Sequence, residues 1–190
     1  MKISLKQGTE LVRAARNSIE NNKAELKGYE EKQGVFVTLH SYPSMGLRGC
    51  IGFPEPIMPL RKAIMESAKA AAFEDPRFPP IDIKKDIFLV EVSVLTVPEE
   101  IKVKSPLELL KKIKIGEDGL IVRSEYASGL LLPQVFPEWN ATLEMALEMT
   151  CEKAGLPKEF WKTDKCKLFK FQAQIFKEEK PSGKVIEEKQ

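Results

Sequence analysis

Leu47-Arg48-Gly49-Cys50-Ile51-Gly52 places a guanidinium, a thiol and two glycines within six consecutive residues. A thiolate is a nucleophile, an arginine grips oxyanions through its fork of N–H donors, and glycines let backbone or ligand come close. Read as a strand, the run puts Arg48, Cys50 and Gly52 on one face, successive members about 7 Å apart. Glu91 and Ser93 share a face of a second β-rich run, and Thr38 and His40 point together in a third. Where these faces meet, Thr38, Arg48, Cys50, Glu91 and Ser93 form a polar patch of mostly small side chains. On this reading Cys50 is the candidate catalytic thiol and Arg48 the anion contact. Gly49, Gly52, Asp75, Arg77, Glu91, Ser93 and Gln134 are the further candidates for substrate binding.

Each of these residues also has a plainer reading. Arg48 can pair with Glu91, leaving Cys50 a small buried residue beside them. Asp75 and Arg77, on either side of Pro76, are a ligand-gripping pair or an ion pair bracing a proline-rich loop. Gln134, after Pro133, reaches a shared site or satisfies backbone groups in a bend. Nucleophilic chemistry at Cys50 needs a base, and His40 is the sole histidine. To lie opposite Cys50, His40 would need a turn centred on Met45, which consumes Leu47 and Arg48 and contradicts the strand. His40 therefore reads as a polar residue at a hairpin end. Whether the chain is an enzyme stays open at this point. Phosphate-binding glycine loops, GxSxG and HExxH are all missing, which removes several large enzyme classes.

The elements that must position these residues follow from periodicity. Leu5, Leu11, Val12, Ala15 and Ile19 mark an amphipathic opening helix over about residues 6–20. Gly34 releases a strand to His40, and Leu47 to Phe53 returns as its partner, with a loop of about six residues between them. Pro54 and Pro56 end that strand, and Pro59 suits the first turn of a helix from Leu60 to Phe73. Ile87 to Val97 is a further strand. The order then recurs: Gly119 to Ser124, Gly129 to Gln134, a helix over about Ala141 to Ala154 stopped by Gly155, and a strand from Cys166 to Phe176. The expectation is an α+β fold, a duplicated β-hairpin–helix–β-strand unit forming two lobes of one domain. The halves run over about 34–97 and 119–176, joined by a linking helix at about 105–113. Residues 6–177 form the domain, and 178–190 read as a charged tail that frays.

The 190 residues suit one domain, and 43% apolar with 31% charged residues suits a folded, highly soluble chain. Thirty basic against 28 acidic residues leave a formal charge of +2, too balanced for the basic face that nucleic-acid binding requires. No apolar run reaches the ~18 residues of a membrane span, and the amphipathic N-terminus is unlike a signal peptide. Three cysteines without CxxC spacing and a single histidine point away from structural zinc and toward a reducing cytoplasm. Cys151 and Cys166 read as core residues, and Asp82 and Asp86 lack metal-ligand spacing. No metal site or cofactor is evident.

The hexapeptide resembles the signature of the AMMECR family. Asp75-Pro76-Arg77-Phe78, Glu91-Val92-Ser93-Val94-Leu95, Gly129-Leu130-Leu131-Leu132-Pro133-Gln134, and Cys151 to Leu156 with Trp161 beyond follow in the family's order. The resemblance covers roughly residues 6–177, and the bare domain looks like the family's archaeal branch. It implies the fold and names no reaction. It also implies a functional link to Memo-type and radical-SAM proteins, which similar bacterial domains accompany. Two functions follow. One is a small-molecule-binding or catalytic pocket around Arg48 and Cys50, taking an anionic ligand. The other is an interaction module whose Pro54-Glu55-Pro56 and Asp75 to Pro80 loops dock a protein.

Overall fold

The computed structural model describes residues 2–23, 25–103 and 105–188. In chain order the elements are α1 (Leu5–Ile19), β1 (Gly34–Ser41), β2 (Leu47–Phe53), α2 (Leu60–Phe73), β3 (Phe88–Leu95), β4 (Glu99–Glu100) and α3 (Pro106–Lys112). There follow β5 (Gly119–Arg123), β6 (Ser128–Leu131), α4 (Val135–Glu138), α5 (Leu143–Lys153), a 3₁₀ turn (Lys158–Lys162), β7 (Lys167–Phe171), β8 (Ala173–Glu178) and β9 (Val185–Glu188). Helices combined with antiparallel ladders make the fold α+β. Among the described residues no helix is long and apolar enough to cross a membrane.

The chain forms two units. The first takes the chain up to Leu95 and resumes at Gln174; the second is Thr96–Ala173. In the first, five strands lie in the order β2-β1-β3-β8-β9. One face of β1 and β3 (Val35, Val37, Leu39, Val90, Val92, Val94) packs with α1 and α2 into a single core. Helix α1 begins where the Ser4 hydroxyl accepts the Gln7 N–H and the Gln7 side-chain oxygen accepts the Ser4 N–H, a reciprocal cap. Alanines 63, 68, 71 and 72 give α2 its close-packing side. A side chain at Gly49 would put its Cβ 2.0 Å from the Ala71 carbonyl oxygen, so the helix rests directly on β2 there.

The second unit has its own sheet, β4-β7-β5-β6, and its own core around Leu109, Leu120, Val122, Phe136, Leu147, Cys151 and Leu168. In both units the first strand of the hairpin lies between its partner and the strand after the helix, as β2-β1-β3 and β6-β5-β7.

Three expectations need correction. The run from Cys166 to Phe176 is not one strand. It breaks at Gln172, whose N–H and C=O are both taken by Thr96, so β7 and β8 enter different sheets. The helix expected at about 105–113 forms as α3, yet it does more than link, because Leu109 and Ile113 are buried in the second core. Over its described residues the tail is regular structure: Val185–Glu188 is a strand paired with β8, and Val185 is buried in the first core. Its charged residues had masked one strand's worth of alternation.

Candidate functional site

β2 is the edge strand of the first sheet, and the register across it decides what Cys50 meets. Cys50 lies opposite Thr38, and Thr38 lies opposite Glu91 on β3, so three polar residues form one row across three strands. Gly52 and Ser93 flank Phe36 in the next row of the same face. The hairpin thus gives Cys50 the hydroxyl of Thr38 rather than an imidazole: Thr38 Oγ1 donates to Cys50 Sγ at 3.3 Å. Burial, the largest influence, pushes the thiol's pKa up, and the Thr38 hydrogen bond opposes this only in part. The environment thus favours the thiol over the thiolate.

His40 instead serves Glu91, with Nε2 3.3 Å from Oε2. That hydrogen bond raises the histidine's pKa against the opposing effect of burial. Glu91 is therefore occupied by His40, and the expected Arg48–Glu91 alternative is replaced by a different pairing. Arg48 is the extra residue of a bulge, since Leu39 pairs with Gly49 and His40 with Leu47. Strand alternation counted from Cys50 therefore does not carry through to it. Its Nη2 donates to the Pro80 carbonyl and to Asp86 Oδ2, both at 3.3 Å. Its Nη1 is buried and has no hydrogen-bond partner.

Asp75 and Arg77 close the free edge of β2. Asp75 Oδ2 accepts the Cys50 N–H at 2.8 Å, and Arg77 Nη2 donates to the Cys50 carbonyl at 3.2 Å. The two side chains bind each other at 2.7 and 3.0 Å, and Asp75 Oδ1 also accepts the Arg77 backbone N–H at 3.1 Å. Together they offer Cys50 what a neighbouring strand would offer, one acceptor and one donor. The Arg77 hydrogen bonds hold the Asp75 carboxyl far below the usual carboxylate range, despite its burial.

The candidates thus divide. Thr38, Cys50 and Glu91 come together in one row, and Asp75 with Arg77 clasps the Cys50 backbone. Arg48 turns to the Pro80–Asp86 loop. Gly49 and Gly52 have no room for a ligand, because Ala71 occupies the space over one and Val35 with Phe36 the space over the other. Ser93 is buried with its hydroxyl unpartnered. Gln134 belongs to the second unit, at the start of α4, where its side-chain oxygen is buried without a hydrogen bond. Sequence reasoning missed Asp86 as Arg48's partner, for which no spacing gives a signal. It also missed the His40–Glu91 pair, which counting the β1–β3 register would have suggested. Among the described residues no three His, Cys, Asp or Glu side chains converge as metal ligands would.

A family model described as AMMECR1 matches residues 8–176. A protein of Methanocaldococcus jannaschii is 50% identical over 196 residues, covering 98% of each chain. One of Thermococcus gammatolerans is 50% identical over 192 residues, covering 94% of this chain and 93% of the other. The crystal structure of an uncharacterized protein from Pyrococcus horikoshii superposes with a TM-score of 0.91 at 46% identity, covering 100% of both chains.

Proposed function

We propose that this chain, which belongs to the AMMECR1 family, binds a small oxyanion, carboxylate or phosphate, at Arg48, with Cys50 a neutral contact and no nucleophile. The observation that carries the reading is the unused donor of Arg48. Its guanidinium is largely buried, its Nη2 bonds are long, and Nη1 has no partner. A buried charged donor without an acceptor is costly, and a bidentate oxyanion is the group that matches a guanidinium fork. Asp86 satisfies only part of this demand, because its Oδ2 also accepts the Asp82 N–H at 2.9 Å. Arg77, 53% exposed beside the Cys50 carbonyl, supplies a second cation in the neighbourhood. Glu91 and Ser93 enter as polar groups on the face that carries Cys50.

Thermal unfolding in phosphate, sulfate, citrate and malonate tests this. An anion at a hundred times its dissociation constant stabilises the folded state by about 2.7 kcal/mol. At least one anion is expected to raise the melting temperature of the wild type and not of Arg48→Ala. Equal shifts in both proteins, or none in either, end the proposal.

The interaction-module reading has one observation of its own. Met45, Leu47, Ile83 and Ile87 are all exposed, and they belong to the hairpin and loop that hold Arg48 and Asp86. Tyr42 binds the Ile87 carbonyl, which ties the hairpin tip to the start of β3. On this reading the patch docks a protein, and Memo-type and radical-SAM proteins, which the family resemblance links to such domains, are the partners to try first.

A further inference from the structure

The second sheet ends at β6, the last strand in the order β4-β7-β5-β6. The Ser124 N–H donates to the Ala127 carbonyl at 2.8 Å and closes the turn between β5 and β6. From that pair, bonded and open positions alternate along the antiparallel ladder. Val122 and Gly129 are a bonded pair, whereas Ile121 faces Leu130 and Arg123 faces Ser128 at open positions. Ser128 and Leu130 therefore turn their N–H and C=O groups away from β5. Among the described residues, no turn, loop or side-chain hydrogen bond takes these groups.

The first unit shows what closing such an edge takes. Gly49 pairs with Leu39 and lies against the Ala71 carbonyl. Gly129 likewise pairs with Val122 and lies against Ala154, where a Cβ would stand 2.4 Å from the backbone nitrogen. Cys50 and Leu130 come next, so they hold matching edge positions. Asp75, four residues beyond Ala71, brings the clasp to Cys50. Four residues beyond Ala154 stands Lys158, which pairs with Glu152 at 3.4 Å instead. Leu156, between them, is buried in the second core. The segment after α5 thus gives Leu130 no counterpart of the clasp, and this edge stays open.

We infer that Ser128 to Leu130 receives an extended segment of a partner protein as a fifth strand of this four-stranded sheet. A second copy of the chain does not fit there. Two β6 strands paired through Ser128 and Leu130 would lie about 5 Å apart. The end of α5 rests on each Gly129, so two helices of ~10 Å diameter would claim the same space. The occupant is a strand with no helix packed on that face. Its backbone N–H and C=O groups supply the binding, and its alternate side chains supply the selectivity. Proline at a pairing position would remove a donor. Tyr126 is 80% exposed, and the Ser124 hydroxyl, accepting the Tyr126 and Ala127 N–H groups, fixes the turn that holds it out. It gives the segment an aromatic ring to lie against at the start of β6.

Random dodecapeptides displayed on phage and selected against the wild-type chain supply the probe. The tightest binder is synthesised unmodified and in two forms N-methylated at alternate residues, one for each phase of a strand. Amide hydrogen exchange, read by NMR, should find the Leu130 N–H unprotected in the free protein and slowed at least tenfold by the unmodified peptide. One N-methylated form should bind at least tenfold more weakly than the unmodified peptide, and the other should bind as the unmodified peptide does. A Leu130 amide already protected in the free monomer would mean that the edge is closed, and overturns the inference. So does a selection that yields no binder, a peptide that protects amides of the first unit and not Leu130, or equal binding by all three forms. A dimer with its Leu130 amide protected would give the edge to a second copy, and overturns it as well.

Discussion

Arg48, Arg77 and His40 each have a carboxylate of their own, in Asp86, Asp75 and Glu91. The charged residues of the first unit's candidate site thus largely answer one another, and the donor left over on Arg48 stands out against that background. The His40–Glu91 pair has a consequence of known sign. The hydrogen bond to Glu91 raises the histidine's pKa above its ordinary value near 6.5. A group with a raised folded-state pKa contributes stability that is fully present below the unfolded value and is lost as pH rises through the folded one. Wild-type stability should therefore fall relative to His40→Asn as pH is raised from about 6.5, read from urea unfolding at several pH values. Parallel pH profiles for the two proteins would show that the pair is not formed in solution.

Among the elements, β2 is braced at its free edge by side chains from outside the sheet. As an edge strand it presents backbone groups that could recruit another chain, and at Cys50 the Asp75–Arg77 clasp covers both of them. Asp75→Ala would leave a buried N–H unsatisfied and release Arg77. A loss of roughly 3 kcal/mol is expected from urea unfolding, and about half that for Asp75→Asn, which keeps an acceptor. A change below about 1 kcal/mol for Asp75→Ala would mean that water replaces the clasp without cost. The bounds of β2 and α2 were legible because Pro54 and Pro59 punctuate them, and the wish of Asp75 and Arg77 to pair was legible from their spacing. What they brace was not, since the Cys50 backbone lies 25 residues away in sequence. Nor was the bulge at Arg48 visible, because a bulge is a property of two strands in register and leaves no mark on one.

At the scale of the molecule, the first unit is discontinuous: its sheet is completed only after the chain has built the second unit and returned as β8 and β9. Composition hid this, since the returning segment reads as charged. Its most consequential charge, Glu178, is buried. Glu178 binds Arg16 of α1 at 2.7 and 2.6 Å and accepts the Val90 N–H at 3.0 Å. Arg16 in turn donates to Glu20 and to the Phe88 carbonyl, and lies over the Phe88 ring. The pair spans 162 residues of sequence and joins the first helix to β8. Removing one partner of such a pair strands a buried charge, so Arg16→Ala and Glu178→Ala should each cost about 3–5 kcal/mol. Replacing both, as Arg16→Met/Glu178→Leu, removes the stranded charge but still leaves the Val90 N–H and the Phe88 carbonyl without these partners. The double variant should therefore be more stable than either single one yet fall short of the wild type, a non-additivity that urea unfolding of the four proteins measures directly. Additive losses would mean that the two charges do not depend on each other, and that burial of the returning strand, rather than this ion pair, holds α1 to β8.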